Sequence, residues 1–408
     1  MSISRRKLMQ GTAAAGVAAT VVGPAIAKGK YDEGATDKEI KIGHTNPYSG
    51  PASAYGTIGK AIDAYFKKIN EEGGINGRKV TFISQDDGYS PPKTVEVIRQ
   101  LVEQEKVLLV FNTLGTPPNT AIQKYMNAKK VPQLFVATGA SKWGMPKEFP
   151  WTMGWQPDYN TEGQIYAKYL LANKKDAKIA VLYQNDDYGK DYLEGFHKGL
   201  GDAGKKQIVS EVSYEVTDPT VDSQVIQMHS KGADAFFNIT TPKFAAQAIK
   251  KAGEIGWKPM HFLNNVSASV STVLKPAGFE FSQGILTAAY LKDPTDKQWF
   301  GHQGYLEWVE WMKKYHASGN IQDSFNVYGY TVAQTMTHVL KACGDDLTRA
   351  NIMKQAASIK GLALPMMLPG IKINTSATDF YPIQSVQLQR FKGETWELFG
   401  DILAAESA

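Results

Sequence analysis

Two pairs of adjacent carboxylates, Asp86-Asp87 and Asp186-Asp187, are the residues whose type and spacing could support acid–base chemistry. Each pair follows a segment typical of a buried strand, so each could lie at the carboxyl edge of a sheet and transfer protons. The other interpretation is structural, because Asp at such positions caps helices. We favour capping and hinge contacts, since no activated nucleophile accompanies either pair.

Other catalytic and cofactor-binding motifs are missing from the sequence. There is no Walker phosphate loop, no Gly-x-Gly-x-x-Gly after a strand and no Gly-x-Ser-x-Gly elbow. The seven histidines never fall at metal-ligand spacing, and the single cysteine, Cys343, suits a small buried residue. We therefore predict a binding protein without cofactor or metal, and not an enzyme, because binding needs only a cleft with a few placed polar groups.

The elements that position such a cleft alternate between strand and helix. Strands are predicted at 40–44, 79–83, 107–111 and 133–136, and the pattern restarts near residue 154 with strands at 177–183, 207–210, 233–239 and 260–263. Helices between successive strands indicate parallel sheets covered by helices. We predict an α/β fold with two doubly wound parallel-sheet lobes, and a ligand beyond the carboxyl ends of their strands.

The last third of the chain is rich in predicted helix. Long helices are expected at 299–316 and 325–341, and a strand at 386–391 precedes the turn 392–394. Neither of the two α/β units looks complete by itself. Later segments are therefore expected to return and finish both sheets.

The first 27 residues have the composition of an export signal. Arg5, Arg6 and Lys7 precede an apolar stretch without Asp or Glu that ends in the small-x-small sequence 25–27. Paired arginines before a hydrophobic pair fit the twin-arginine type. We predict cleavage after Ala27 and a periplasmic location. An uncleaved membrane anchor is the alternative, although its glycines and alanines make this stretch only mildly hydrophobic.

Net charge gives no reason to expect a nucleic-acid partner. The chain has 45 Lys and Arg against 40 Asp and Glu, and removal of the first 27 residues leaves 42 against 40. A balance this close to neutral favours neither nucleic acid nor an anionic membrane surface. No later stretch of sequence is long and apolar enough to predict a transmembrane helix.

Five segments, in order, resemble the type I periplasmic solute-binding proteins of the leucine/isoleucine/valine-binding family. They are SGPASAYG at 49–56, NEEGGINGR at 70–78, DD at 86–87, QNDDYG at 184–189 and IGW at 255–257. The resemblance implies two lobes that are joined by three crossovers and close on ligand by hinge motion. It assigns 28–154 and 287–371 to the N-terminal lobe, and 155–286 and 372–408 to the C-terminal lobe. It also implies an ABC transporter permease as partner.

In the N-terminal lobe, the resemblance implies a cradle for a carboxylate. Gly115 and Thr116 match the loop whose amide and hydroxyl hold this group, and Thr138 with Ala140 or Ser141 matches the second part of the cradle. Loop amides and helix N-termini carry positive potential and bind anions without a full cation. Thr116 and Ser141 could also be N-caps, and the two roles are compatible.

In the C-terminal lobe, the resemblance implies that Tyr188 covers the ligand, and Thr240 falls where another family aromatic sits. Asn265 falls where the amino-acid binders carry a glutamate that pairs with the ligand's ammonium group. A buried ammonium needs a carboxylate, so Asn favours an acid without an α-amino group. Asp186 or Asp187 could replace the glutamate, which leaves this point open.

Aromatic residues indicate the ligand class. Tyr55 matches an aromatic near the cleft mouth, and Tyr48, Trp143, Tyr188 and Tyr328 could also stack on a ring. We expect about half of these side chains to line the cleft and the others to be packing. The sequence therefore predicts capture of a benzoate- or phenylpropenoate-type acid. The alternatives are a branched-chain or other neutral amino acid as ligand, or a sensory ligand-binding module.

Overall fold

The computed structural model describes residues 29–404, so the predicted signal peptide and its cleavage after Ala27 lie outside the described residues. The strands are β1 Lys30–Tyr31, β2 Glu39–Asn46, β3 Lys79–Asp86, β4 Leu109–Phe111, β5 Gln133–Val136, β6 Thr152–Gly154, β7 Ile179–Gln184, β8 Ile208–Tyr214, β9 Ala235–Ile239, β10 Met260–Leu263, β11 Leu286–Ala289, β12 Asp346–Leu347, β13 Ser385–Lys392 and β14 Thr395–Ala404. The helices are α1 Gly56–Glu71, α2 Pro91–Glu103, α3 Thr116–Lys129, α4 Tyr159–Asn173, α5 Asp187–Lys205, α6 Asp222–Ser230, α7 Pro242–Glu254, α8 Lys275–Ala277, α9 Phe279–Ser282, α10 Gln303–Tyr315, α11 Ser324–Ala342 and α12 Arg349–Ala356. Within this range, no helix combines the length and the apolar character needed to cross a membrane.

The first lobe is built on a parallel sheet. Of the described residues, five strands form it in the order β3-β2-β4-β5-β6, and every neighbouring pair is parallel. Its central strand, β4, is apolar and fully buried because helices cover both faces. After the short loop that follows β4, Thr116-Pro117-Pro118 begins α3, in agreement with the preference for proline in the first helical turn.

The second lobe is built on a larger mixed sheet. In residues 29–404 its strand order is β14-β13-β11-β10-β9-β7-β8. The strands from β11 to β8 are parallel, whereas β13 and β14 form an antiparallel hairpin at one edge. The α/β fold with two sheets agrees with the prediction, and this hairpin is an antiparallel addition to it. The turn at Gly393, where φ is 64°, reverses the chain between the two edge strands.

The described chain passes between the lobes three times, after β6, after β11 and before β13. Two predicted boundaries must be corrected. The boundary between 286 and 287 falls inside β11, whose four residues all pair with β13, so 287–289 belongs to the C-terminal lobe. The hydroxyl of Thr375 donates to the carbonyl of Ala356, 2.6 Å away, and accepts from the amide of Ile359. These bonds hold 372–375 against α12, so the third crossover follows Thr375.

Helices α4 and α5 of the second lobe pack with their backbones in contact. A Cβ added at Gly195 would lie 2.0 Å from the carbonyl oxygen of Asn160, and one at Gly163 would lie 2.6 Å from that of Tyr192. Backbone atoms cannot rotate away from such a clash, so both positions require glycine. The two helices therefore form one packed unit directly after the first crossover.

Candidate functional site

A cavity lies between the two lobes, at the carboxyl ends of strands from both sheets. Its empty space is about 850 Å³, including the part that opens to solvent. The first lobe contributes the loops after β2, β3, β4 and β5 and the start of α11. The second lobe contributes the starts of α4 and α5 and the loops after β9, β10 and β11. This position, at the carboxyl ends of strands from two sheets, suits a ligand-binding site.

Aromatic rings cover much of the cavity wall. The rings of Tyr159 and Tyr188 meet edge to face with centroids 5.6 Å apart, and that of Tyr55 lies 5.2 Å from Phe325. Such a wall favours a ligand with an aromatic or apolar body. The aromatic lining residues are Tyr55, Tyr89, Tyr159, Tyr188, Tyr290, Phe325 and Tyr328.

The hydroxyl groups of Tyr55 and Tyr188 bond to the protein, which fixes the orientation of these two rings. Tyr55 donates to the carbonyl oxygen of Val266 across the cleft, at 3.1 Å. Tyr188 donates to Oδ1 of Asn264 at 3.2 Å, and burial raises the pKa of Tyr188 well above its ordinary value. The phenols are therefore neutral and the ring surfaces, not charged oxygens, are presented to a ligand.

Thr116 contributes polar groups to the cavity wall on the side of the first lobe. Its hydroxyl is 2.5 Å from that of Thr138, and either group can donate. Its amide nitrogen has no hydrogen-bond partner among the described residues, and the next two residues are prolines without an N–H. The amide and hydroxyl of Thr116 therefore present donors at a helix N-terminus, where an anion is stabilised.

Gly115 also lines the cavity, but its role differs from the expected one. Its amide donates to the carbonyl of Ala137 at 3.2 Å, so it is not free for a ligand. The residue has φ 97°, and a Cβ there would lie 2.4 Å from the ring of Tyr89. Gly115 therefore allows the loop to turn tightly beside an aromatic wall, rather than donating to the ligand.

Three residues predicted for the second part of the cradle do not line the cavity. Thr138 lies behind Thr116, and its hydroxyl also accepts from the amide of Ala140 at 3.3 Å. Ser141 lies farther on, with its hydroxyl 2.6 Å from the carboxylate of Asp158. The reason is that the loop turns away one residue after β5, so the small Ala137 lines the wall in their place.

Two predicted aromatics serve packing. The hydroxyl of Tyr48 is 2.5 Å from that of Ser84, and its ring covers Gly59 of α1, away from the cavity. Trp143 is 2% exposed, and its indole nitrogen donates to Thr138. By contrast, Tyr55, Tyr188 and Tyr328 line the cavity, and their contact with a ligand stays a prediction.

Neither acid of the second pair lines the cavity. Asp186 caps α5 by accepting from the amides of Tyr188 and Gly189, at 3.0 and 3.2 Å. Asp187 points outward and forms an ion pair with Lys142 of the first lobe, 2.5 Å away. Both carboxylates therefore have structural partners away from the cavity wall.

Thr240 was predicted one position too early. It is fully buried, and its hydroxyl donates to Oδ1 of Asn238 at 2.6 Å. The next residue, Thr241, lines the cavity instead. Because side chains alternate at the end of β9, a shift of one residue exchanges the buried side for the cavity side.

Asn265 lines the cavity, and a buried carboxylate that sequence reasoning missed lies behind it. Glu162, which is 1% exposed, accepts from the hydroxyls of Tyr166 and Tyr192 at 2.6 and 2.9 Å. It also accepts from the backbone amide and the side-chain amide of Asn265. Burial raises the pKa of Glu162 to about 6, and these donors oppose the rise.

One basic and one acidic residue line the cavity at the second crossover, and both were missed. Lys292 donates to the carbonyl oxygen of Pro365 at 2.6 Å, and burial lowers its pKa. Asp293 accepts from the amide and hydroxyl of Thr295, at 2.9 and 2.5 Å. Burial raises the pKa of Asp293 to about 6. The cavity wall thus carries adjacent groups of opposite charge.

The other missed lining residues lie mostly at the crossovers, where sequence spacing gives no signal. Tyr89 is the exception with a sequence signal, because it follows the DD segment at 86–87. Its φ of 62° is rare for a residue with a side chain, and such strain is common at functional sites. The missed polar and aromatic positions are Tyr89, Gln156, Tyr159, Thr241, Tyr290, Lys292, Asp293, Ser324, Phe325 and Gln389.

Further hydrogen bonds join the two lobes. Ser269 of the second lobe donates to Asp323 of the first at 3.0 Å. Ser141 of the first lobe contacts Asp191 on α5 through both its amide and its hydroxyl. Burial, with a smaller contribution from the Asp158 carboxylate, raises the pKa of Asp191 to about 7. The lobes are therefore in direct contact around the cavity.

Comparison with known proteins agrees with this arrangement. The profile of the Periplasmic binding protein family matches residues 39–395. Leu/Ile/Val-binding protein homolog 1 of Brucella suis biovar 1 is 24% identical over 330 residues, which cover 79% of this chain and 84% of the relative. The structure of a branched chain amino acid ABC transporter from Thermus thermophilus with bound valine is similar with a TM-score of 0.80 at 16% identity, covering 90% of this chain and 97% of that chain. An ABC transporter solute binding protein from R. palustris in complex with benzoate gives a TM-score of 0.74 at 21% identity, covering 91% and 98%. The chain belongs to the periplasmic binding protein family, and it is a solute-binding protein and not an enzyme.

Proposed function

We propose that this protein captures a small carboxylic acid without an α-amino group in the periplasm and delivers it to the permease of an ABC transporter. An aromatic acid of the benzoate or phenylpropenoate type is the preferred ligand. Export depends on the first 27 residues as signal. The lobes close on the acid, which supplies the free energy that favours the closed form.

The observation that carries this proposal is the composition of the cavity wall. Thr116 offers a free amide at the start of α3 beside an aromatic lining, which suits a carboxylate attached to a ring. Asn265 offers no negative charge, and Asp186 and Asp187 are bonded elsewhere. An ammonium group near Asn265 would therefore lose its hydration without gaining a direct carboxylate partner.

Asp293 supports one alternative, a neutral amino acid as ligand. Its carboxylate lines the cavity and receives its hydrogen bonds at one oxygen, Oδ1, from Thr295. An α-ammonium group beside the other oxygen would make a direct ion pair. The neighbouring structures contain valine in one case and benzoate in another, so this fold accommodates both ligand classes.

Matched ligand pairs that differ only at the α-carbon separate these two functions. Protein that has been unfolded and refolded to remove bound ligand is screened by thermal shift with 3-phenylpropionate against phenylalanine, and with 4-methylpentanoate against leucine. Benzoate is included as the smallest aromatic acid. A ligand at 100 times its Kd adds about 2.7 kcal/mol of stability. We expect shifts with the plain acids and none with the amino acids.

The variant Asp293→Asn provides the control. If amino acids bind, this substitution removes the partner of their ammonium group and abolishes their shift, whereas plain acids have no such partner to lose. The proposed ligand class is wrong if only amino acids raise the Tm of the wild type and this effect is lost in Asp293→Asn. The assignment to a family of solute-binding proteins would remain.

A further inference from the structure

The side-chain amide of Asn265 is held in one orientation by groups behind the cavity wall. Its nitrogen donates to the Glu162 carboxylate and to the hydroxyl of Tyr192, at 3.3 Å for the latter. The backbone amide of Asn265 donates to the other carboxylate oxygen at 2.9 Å. Residue 265 therefore makes three donor contacts to the Glu162 cluster, defined as Glu162, Tyr166 and Tyr192.

The chemistry of this cluster excludes the flipped amide. A carboxylate accepts hydrogen bonds and donates none, so the amide oxygen of Asn265 facing Glu162 would bring two acceptors together. The hydroxyls of Tyr166 and Tyr192 already donate to Glu162, at 2.6 and 2.9 Å. Glu162 thus acts as a positioning residue for Asn265.

The consequence is that Asn265 presents an acceptor to the cavity. Both donor contacts of its amide nitrogen are directed backward, whereas its Oδ1 has no hydrogen-bond partner among residues 29–404. The residue is partly exposed and lines the cavity. A ligand that covers this oxygen without offering a donor removes it from water with nothing in exchange, which weakens binding.

We infer that the ligand carries an uncharged hydrogen-bond donor that faces Asn265, and that the substrates are hydroxy-substituted carboxylic acids. This inference rests on the proposed function, because it assumes that the ligand is an acid without an ammonium group. A hydroxyl satisfies Oδ1 without bringing a charge into the cavity. A carbonyl at the same place would oppose two acceptors, and a bare methylene would leave Oδ1 unpaired.

The test compares acids that share one skeleton. Kd is measured by calorimetry for 3-phenylpropionate, its 2-hydroxy and 2-oxo derivatives, and its 4-hydroxyphenyl derivative. At least one hydroxylated acid is expected to bind about tenfold more tightly than the parent acid, and the oxo acid is expected to bind less tightly than that hydroxy acid. If the parent acid binds and neither hydroxylated acid improves on it, the inference is wrong and the proposed function stands. If phenylalanine alone binds, the proposed function itself is wrong.

Two substitutions test the origin of the preference. Asn265→Ala removes the acceptor, so the ratio of parent to hydroxy-acid Kd should fall to about one, whatever happens to the absolute affinities. Glu162→Gln replaces a pure acceptor by an amide that can donate to Oδ1 of Asn265, which turns the Asn265 nitrogen toward the cavity. The preference should then move from the hydroxy acid toward the oxo acid. An unchanged ratio in Asn265→Ala, or in folded Glu162→Gln, would refute the role of the pair. If Glu162→Gln does not fold, the ratios in the wild type and in Asn265→Ala decide the question.

Discussion

The amide nitrogen and the hydroxyl oxygen of Ser141 both lie 3.1 Å from the same carboxylate oxygen of Asp191, on the opposite side of the contact between the lobes. The same hydroxyl is 2.6 Å from Asp158, to which it can give its single hydrogen. The Ser141 hydroxyl has one hydrogen for the carboxylates of Asp158 and Asp191, so the contact is better satisfied when Asp191 is protonated. This agrees with burial raising the pKa of Asp191 to about 7.

The Asp191 contact predicts a specific dependence of stability on pH. The pKa of Asp191 is about 7 in the structure, against about 4 for an exposed Asp. The folded chain therefore retains a proton that the unfolded chain releases, so the free energy of unfolding falls as pH rises from about 4 to about 7 and is level above that range. Asp191→Asn should flatten this part of the curve of Tm against pH.

The control for that measurement is Asp187→Asn. Asp187 lies on the same helix and also meets the first lobe, but its ion pair with Lys142 is half exposed. Exposed pairs contribute little, so its curve should run parallel to that of the wild type. If Tm depends on pH in the same way in the wild type, Asp191→Asn and Asp187→Asn, the prediction of a raised pKa for Asp191 is wrong.

Tyr188 is expected to contribute ring contact, not its hydroxyl, to ligand binding. Tyr188→Ala should weaken binding of an aromatic acid by about 1–3 kcal/mol, because it removes an aromatic face and its buried area. Tyr188→Phe keeps the ring and loses only the bond to Asn264, so its effect should be clearly smaller. Calorimetry on both variants checks this order, and equal losses in the two would assign the effect to the hydroxyl.

Thr116 is expected to bind the carboxylate. Thr116→Val keeps the shape of the side chain but removes the hydroxyl, and a lost hydrogen bond to a charged group costs about 1.5–3 kcal/mol. Thr120→Val is the matched control, since its hydroxyl donates to the Thr116 carbonyl one turn farther along α3. Similar Kd values for Thr116→Val and Thr120→Val would remove the hydroxyl of Thr116 from the carboxylate site.

Asn265→Glu is expected to weaken both binding and folding. The new carboxylate would face Glu162, and two acids in contact cannot both ionise without a large cost. We expect lower affinity for plain acids and a lower Tm above pH 6 than in Asn265→Gln, which keeps an amide. Tight binding of leucine by Asn265→Glu, with normal stability, would show instead that this position accepts a charge readily.

The fold could be predicted because the alternation of strands and helices, and the resemblance to a known family, both extend over most of the chain. The sequence also predicted cavity residues directly after strands, such as Thr116 and Tyr188. Lys292 and Asp293 were missed because their position depends on where the chain leaves the second lobe, and no strand was predicted at Leu286–Ala289. Spacing along the chain does not show which side chains a crossover turns inward.

Glu162 was missed for a different reason. A glutamate in the first turn of a helix is favoured by the helix dipole and is ordinarily solvated. Here two tyrosines from α4 and α5 and the amides of Asn265 bond to it in the protein interior. These donors come from three separate parts of the chain, so only the folded structure brings them together.

The glycine contact between α4 and α5 reduces the number of side chains that ligand binding has to bring into position. Because Gly163 and Gly195 let the two backbones pack in contact, Glu162 on α4 and Tyr192 on α5 are held close together. We therefore expect the part of the wall formed by Glu162, Tyr192 and Asn265 to be preorganised, which lowers the entropy cost of binding a ligand there.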